Sequence, residues 1–146
     1  MIIHRTDGDG TCFRYTGRQF IMLKRIPIGI MDEVVRHFRK DLEREAVVQI
    51  RWDDGYRIVY PMKQEASRTS VLYSFGVMKG ELAVTIHSHN AMSAFWSETD
   101  DADELFMPGI YGVFGRLDRR IPECRFRYCS GNGEAVLLDI WDICCI

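Results

Sequence analysis

The chain has 146 residues, 47% of them hydrophobic and 27% charged, with a formal net charge of −2. That balance fits one ordinary globular domain over residues 1–146, long enough to bury a real core. Dispersed arginines and near-neutral charge exclude the basic footprint of a nucleic-acid binder, and no run reaches the roughly 18 apolar residues of a membrane-spanning helix.

The opening Met1-Ile2-Ile3-His4-Arg5 lacks the apolar stretch of a signal peptide, so a cytoplasmic location is expected. The five cysteines agree: Cys12, Cys124, Cys129, Cys144 and Cys145 are odd in number and form no C-x-x-C pair, which argues against a disulfide framework. The vicinal Cys144-Cys145 could bind a soft metal, but it reads rather as an apolar strand end.

In chain order, Met1 to Thr6 and Thr11 to Tyr15 suggest a hairpin around Asp7-Gly8-Asp9-Gly10. That acidic glycine run looks like part of a calcium loop but lacks the later Glu, and a turn is expected. A strand near Phe20 to Lys24 precedes a helix from Ile30 to Leu42, where Ile30, Val34, Phe38 and Leu42 recur every four residues as one apolar face. His37 lies near that face, and it and His4 read as packing or surface residues. A strand pair follows, near Ala46 to Trp52 and Arg57 to Tyr60 around Asp53-Asp54-Gly55, then a strand near Ser70 to Ser74. Glu81 to Ile86 reads as a strand, and Asp100 to Phe106 as a helix start with acidic residues in its first turn. Strands near Tyr111 to Gly115, Cys124 to Cys129 and Ala135 to Ile140 complete the chain, the last two joined by the turn Ser130-Gly131-Asn132-Gly133. Arg116 to Arg127 alternates with acidic and apolar residues and reads as a solvated strand face. The expected fold class is α/β, with a mixed, largely antiparallel sheet flanked by helices.

Between the Glu81 strand and the acidic helix lies the run His87-Ser88-His89, seven residues, then Ser97-Glu98-Thr99-Asp100. Two histidines at i and i+2 leaving a strand can aim both imidazoles at one point, and an Asp eleven residues after the second can close the set. Zinc takes neutral imidazole nitrogen and carboxylate oxygen, and a hydrolytic site uses three protein ligands. His87, His89 and Asp100 are the candidate Zn2+ ligands. Ser97 and Asp100 would equally serve as a turn and a helix cap with no metal.

This motif resembles the JAMM signature of the MPN/JAB superfamily, the zinc-dependent isopeptidases that release ubiquitin-like proteins from their conjugates. The following DDADELFMPGIYGVFGRLDRR is similar to its small bacterial and plasmid-borne branch, which includes protein A of PRTRC systems. The resemblance runs from about Glu45 to Arg120, and it departs at Asn90, where many members carry Pro. It implies an MPN (JAB/cytidine-deaminase-like) fold, a catalytic Glu upstream and an oxyanion donor at Ser97. Glu45 in EAVVQI stands where that Glu is expected, with Glu43 as fallback and Glu33 and Glu65 fitting less well. The implied partner is a ubiquitin-like or sulfur-carrier protein, or its conjugate. Ala91 to Trp96 would line its groove, or Phe95 and Trp96 would pack under the loop. A zinc amidase acting on a small molecule and a catalytically silent MPN scaffold are the alternatives.

Overall fold

The computed structural model of the chain describes residues 2–3, 13–15, 20–22, 24–61, 63–66, 71–74 and 80–146. The elements are β1 (Ile2–Ile3), β2 (Phe13–Tyr15), β3 (Phe20–Met22), β4 (Ile26–Pro27), α1 (Ile28–Phe38), β5 (Val47–Trp52), β6 (Tyr56–Val59), β7 (Lys63–Ala66) and β8 (Val71–Ser74). They continue with β9 (Glu81–Ser88), α2 (Glu98–Glu104), β10 (Gly109–Gly115), β11 (Glu123–Cys129), β12 (Ala135–Leu138), α3 (Ile140–Ile143) and β13 (Cys144–Cys145). The expected α/β class holds. Six strands form the main sheet in the order β12-β11-β10-β9-β5-β6, every neighbouring pair antiparallel except β9 and β10. Among the described residues no helix is long and apolar enough to cross a membrane.

Turn chemistry sets the hairpins where the sequence places them. Asp54 and Gly55 both have positive φ, 57° and 137°, a backbone that short polar residues and glycine tolerate, and they return β5 into β6 with Trp52 opposite Tyr56. β1, β2 and β3 pair antiparallel in sequence order, in line with the expected N-terminal hairpin. Its turn at 7–10, His4 and Cys12 lie outside the described residues, as does the side chain of Glu65.

The helix α1 is shorter than its apolar repeat suggests. It ends at Phe38 rather than Leu42, and Met31, Val34 and Phe38 are its buried residues. Past Arg39, the Asp41 side chain accepts the Glu43 N–H at 3.0 Å, a local bond that competes with continued helix. Arg39 itself turns away to donate to the carbonyls of Leu117 (3.0 Å), Arg119 and Arg120. The short α3 and β13 carry too few residues to show a period. Cys144 there is fully buried, as expected of an apolar strand end, and β13 pairs with β4 in parallel.

The core joins α1 to the sheet: Phe38 is 2% exposed and meets Phe114 of β10 edge-on at 6.4 Å. Phe38→Ala is expected to destabilise the fold by about 3–5 kcal/mol, the usual cost of a large buried truncation. Urea denaturation measures it, and a loss below about 1 kcal/mol would show that α1 is not anchored through this residue.

Candidate metal centre

β9 is the spine of the centre. Val84 to Ile86 are apolar or β-branched residues that suit a strand paired on both sides, and β9 is bonded to β5 and β10. Alternation along it puts His87 and His89 on one face. His87 lies opposite Val47, and the ladders continue one residue further: Ser88 N–H reaches Ala46 O at 2.9 Å, and His89 N–H reaches Phe114 O at 2.7 Å. The histidines are therefore fixed by backbone on both sides, and both are buried.

The chain then bends sharply. Asn90 sits at φ 54°, a left-handed conformation that Asn tolerates, and Met92 N–H closes the turn on His89 O at 2.9 Å. Proline, locked near −65°, cannot take this φ, so the loop after the second His follows a path closed to any chain with Pro at this position. The loop is seated on Gly115 of β10: a Cβ there would collide with the backbone of residues 92–94. In this seat the Ser93 carbonyl lies 3.2 Å from His89 Nδ1. A carbonyl can only accept, so Nδ1 carries the proton. Nε2 of His89 then presents its lone pair to the centre, the arrangement metal-ligating histidines commonly show.

Ser97 caps α2 reciprocally: Asp100 N–H donates to Ser97 Oγ at 3.1 Å, and Ser97 N–H donates to Asp100 Oδ2 at 2.8 Å. The capping reading of these two residues is thus present in the structure, and it also aims Asp100. Asp100 Oδ2 lies 3.4 Å from His87 Nε2 and 3.9 Å from His89 Nε2, and the two Nε2 atoms are 3.2 Å apart. Donors placed tetrahedrally about 2.0–2.2 Å from one ion stand about 3.3–3.6 Å apart. The triad His87, His89 and Asp100 therefore fits a single metal ion, and its imidazole and carboxylate donors suit zinc.

No family model matches the chain, and no curated protein matches it. Among solved structures it is similar to the solution structure of protein DSY2949 from Desulfitobacterium hafniense. The TM-score is 0.55 at 15% identity, over 78% of this chain and 88% of that one. Identity this low speaks for a shared fold alone.

Charge at the centre follows from burial and from the triad itself. Burial would raise the pKa of Asp100, but its bonds to His87 and Ser97 and the charge of His87 hold it down at about 2. Burial opposes charging of His87, yet Asp100, Glu104 and Glu45 outweigh it and raise its pKa. His89 is lowered, by burial first and then by His87, which keeps it neutral.

Continuing the β5–β9 register one pair past Ala46 and Ser88 sets Glu45 opposite His89, on the face that bears both histidines. Glu45 is 5% exposed, and desolvation lifts its pKa to about 7 against the pull of His87, with Asp100 adding to the rise. Glu43 and Glu33, the other candidates described with side chains, are exposed. Two clefts border the segment that leads into β5. One of about 210 Å³ is lined by Glu45, Ala46, His37 and Lys40, and one of about 340 Å³ by His89, Asn90, Met92, Glu43 and Arg116.

One expectation from the sequence changes here. Arg127, assigned to a solvated strand face, is 4% exposed and ion-paired with Asp101 and Glu104 of α2. A buried guanidinium between Phe126 and Tyr128 needs carboxylates, and the acid-rich α2 with no base of its own was the available signal. The loop residues Phe95 and Trp96 differ in burial. Phe95 is 42% exposed with its ring 4.5 Å from that of His89, while Trp96 is half-buried against Arg127. His37 packs on Tyr60 at 4.6 Å, as a packing residue should. Burial pushes the thiols of Cys129 and Cys144 up to about 11 and about 12 and raises Cys124, so these three are not thiolates at neutral pH.

Proposed function

We propose that the chain is a zinc-dependent isopeptidase of the JAMM type, hydrolysing the amide at the C-terminal tail of a ubiquitin-like or sulfur-carrier protein. The observation that carries this reading is the meeting of three metal-type donor atoms with a buried carboxyl group, Glu45, just before β5 and close enough to His87 and Asp100 to feel their charge. When bound, zinc supplies Lewis-acid chemistry, polarising a carbonyl and acidifying water. Glu45 moves the proton: a carboxyl group with a pKa near neutrality can accept one from the attacking water and return it to the leaving amine. Ser97 Oγ accepts the Asp100 N–H, which leaves its own O–H proton for the developing oxyanion. A preorganised donor of that kind typically contributes about 3–4 kcal/mol to lowering the barrier. His89 and Asp100 stay fixed throughout, held by Ser93 O and by the cap of α2.

A cleft that reaches His89 and a neighbouring one that reaches Glu45 offer room for a substrate drawn up to the centre. Exposed Phe95 and Met92 offer apolar contact beside it. Contacts remote from the scissile bond then help position it, so an isolated tail peptide should be the poorer substrate. We expect kcat/KM for a full-length ubiquitin-like conjugate to exceed that for its tail peptide by roughly 10²-fold. Equal values would remove the protein substrate and leave a small-molecule amidase, for which a cleft of a few hundred Å³ suffices.

A further inference from the structure

Helix α2 delivers Asp100 to the centre but has almost nothing apolar to bury. Its sequence, Glu-Thr-Asp-Asp-Ala-Asp-Glu, holds five carboxylates, and its buried residue is Glu104. Seven residues are too few for a helix to persist alone, and like charges three and four apart repel. Its trailing end is tied by Gly133 N–H to Leu105 O at 3.1 Å. The side-chain fastening comes from β11: Arg127 Nη1 donates to Asp101 Oδ1 at 2.7 Å and Nη2 to Glu104 Oε1 at 2.9 Å, gripping i and i+3 on one helical face. The same guanidinium lies 4.0 Å from the centre of the Trp96 ring, and that ring stands edge-on to His87 at 6.3 Å.

We propose that Arg127 is the positioning residue of the metal centre: its fork docks α2 so that Asp100 faces the two histidines, and its stacking on Trp96 braces His87. The inference rests on the metal-centre reading above. A buried ion pair is seldom worth more to stability than apolar residues of similar volume, so a stability role alone is a weak reason to bury this charge. A fixed geometry for the acid-rich helix is a stronger one. Arg127 is not one of the three donors, and it acts through Asp101, Glu104 and Trp96.

The test titrates the full chain with Co2+ and reads the visible absorption, alongside thermal unfolding of the same samples. Arg127→Met keeps bulk and removes the fork, Asp101→Asn weakens one prong on a half-exposed side chain, and Val34→Ala loosens the core away from α2. The expected result is a cobalt affinity lowered about 10–100-fold in Arg127→Met and by a smaller factor in Asp101→Asn, with a changed spectrum, and an unaltered affinity in Val34→Ala despite its lower Tm. The proposal is overturned if folded Arg127→Met binds cobalt within about twofold of wild type, or if Val34→Ala loses as much affinity for an equal drop in Tm. Should Arg127→Met not fold, Asp101→Asn decides: wild-type affinity and spectrum there overturn the clamp. A wild-type chain that takes up no cobalt would overturn the metal centre and the clamp together.

Discussion

Replacing both His87 and His89 with alanine strips the centre: metal per purified chain falls from about one ion to near zero, and amide hydrolysis falls to background. Two of the three donor atoms are removed, and Asp100, already committed to the Ser97 cap, is left as the sole ligand. The fold should survive. Both imidazoles are buried, but their backbones belong to the β9 ladders, which alanine maintains. Elemental analysis and circular dichroism on the same preparation separate loss of metal from loss of structure. A folded double variant that carries as much zinc as wild type would show that the triad is not the site.

Glu45→Gln is expected to do the reverse, keeping the metal while reducing kcat by at least roughly 10²-fold, because an amide can neither accept nor return a proton at this position. Retained activity would transfer the role to Glu43 or end it. The same substitution should stabilise the metal-free chain in a definite pH window. Glu45 has a folded pKa of about 7 against an ordinary 4.5, so burying its charged form costs nothing below about pH 4.5 and progressively more up to about pH 7. Gln removes that cost. The Tm of metal-free Glu45→Gln should exceed that of wild type at pH 8, with the gap closing by pH 4. A gap that grew toward acid pH would show that Glu45 is held ionised and contradict its assigned environment.

What the sequence makes legible is what is local. The His87, His89 and Asp100 spacing, the strand before it and the acidic helix after it lie within one short segment, and the hairpins are marked by their own turn residues. Glu45 was legible in position only, since its proton affinity depends on a desolvation that arises when β5 lies beside β9. The end of α1 was misplaced because Leu42 continues the apolar period, whereas the Asp41 side chain that competes with the helix leaves no periodic mark. Arg127 was assigned to solvent because an arginine among alternating charges reads as exposed. Its partners Asp101 and Glu104 sit 26 and 23 residues earlier, on an element that touches it only after the sheet has formed.

The single parallel step of the sheet, β9 to β10, gives the molecule two folding distances. The metal donors all come from the stretch between β9 and the first turn of α2, so they gather by closing one short loop. Glu45 arrives with the neighbouring strand, through the contact of Ala46 with Ser88, 42 residues apart in sequence. Short closures are fast and entropically light, and longer ones wait for the strands between them. The donors can therefore gather early, while the fork of Arg127 and the carboxyl group of Glu45 join them only once β11 and β5 have paired.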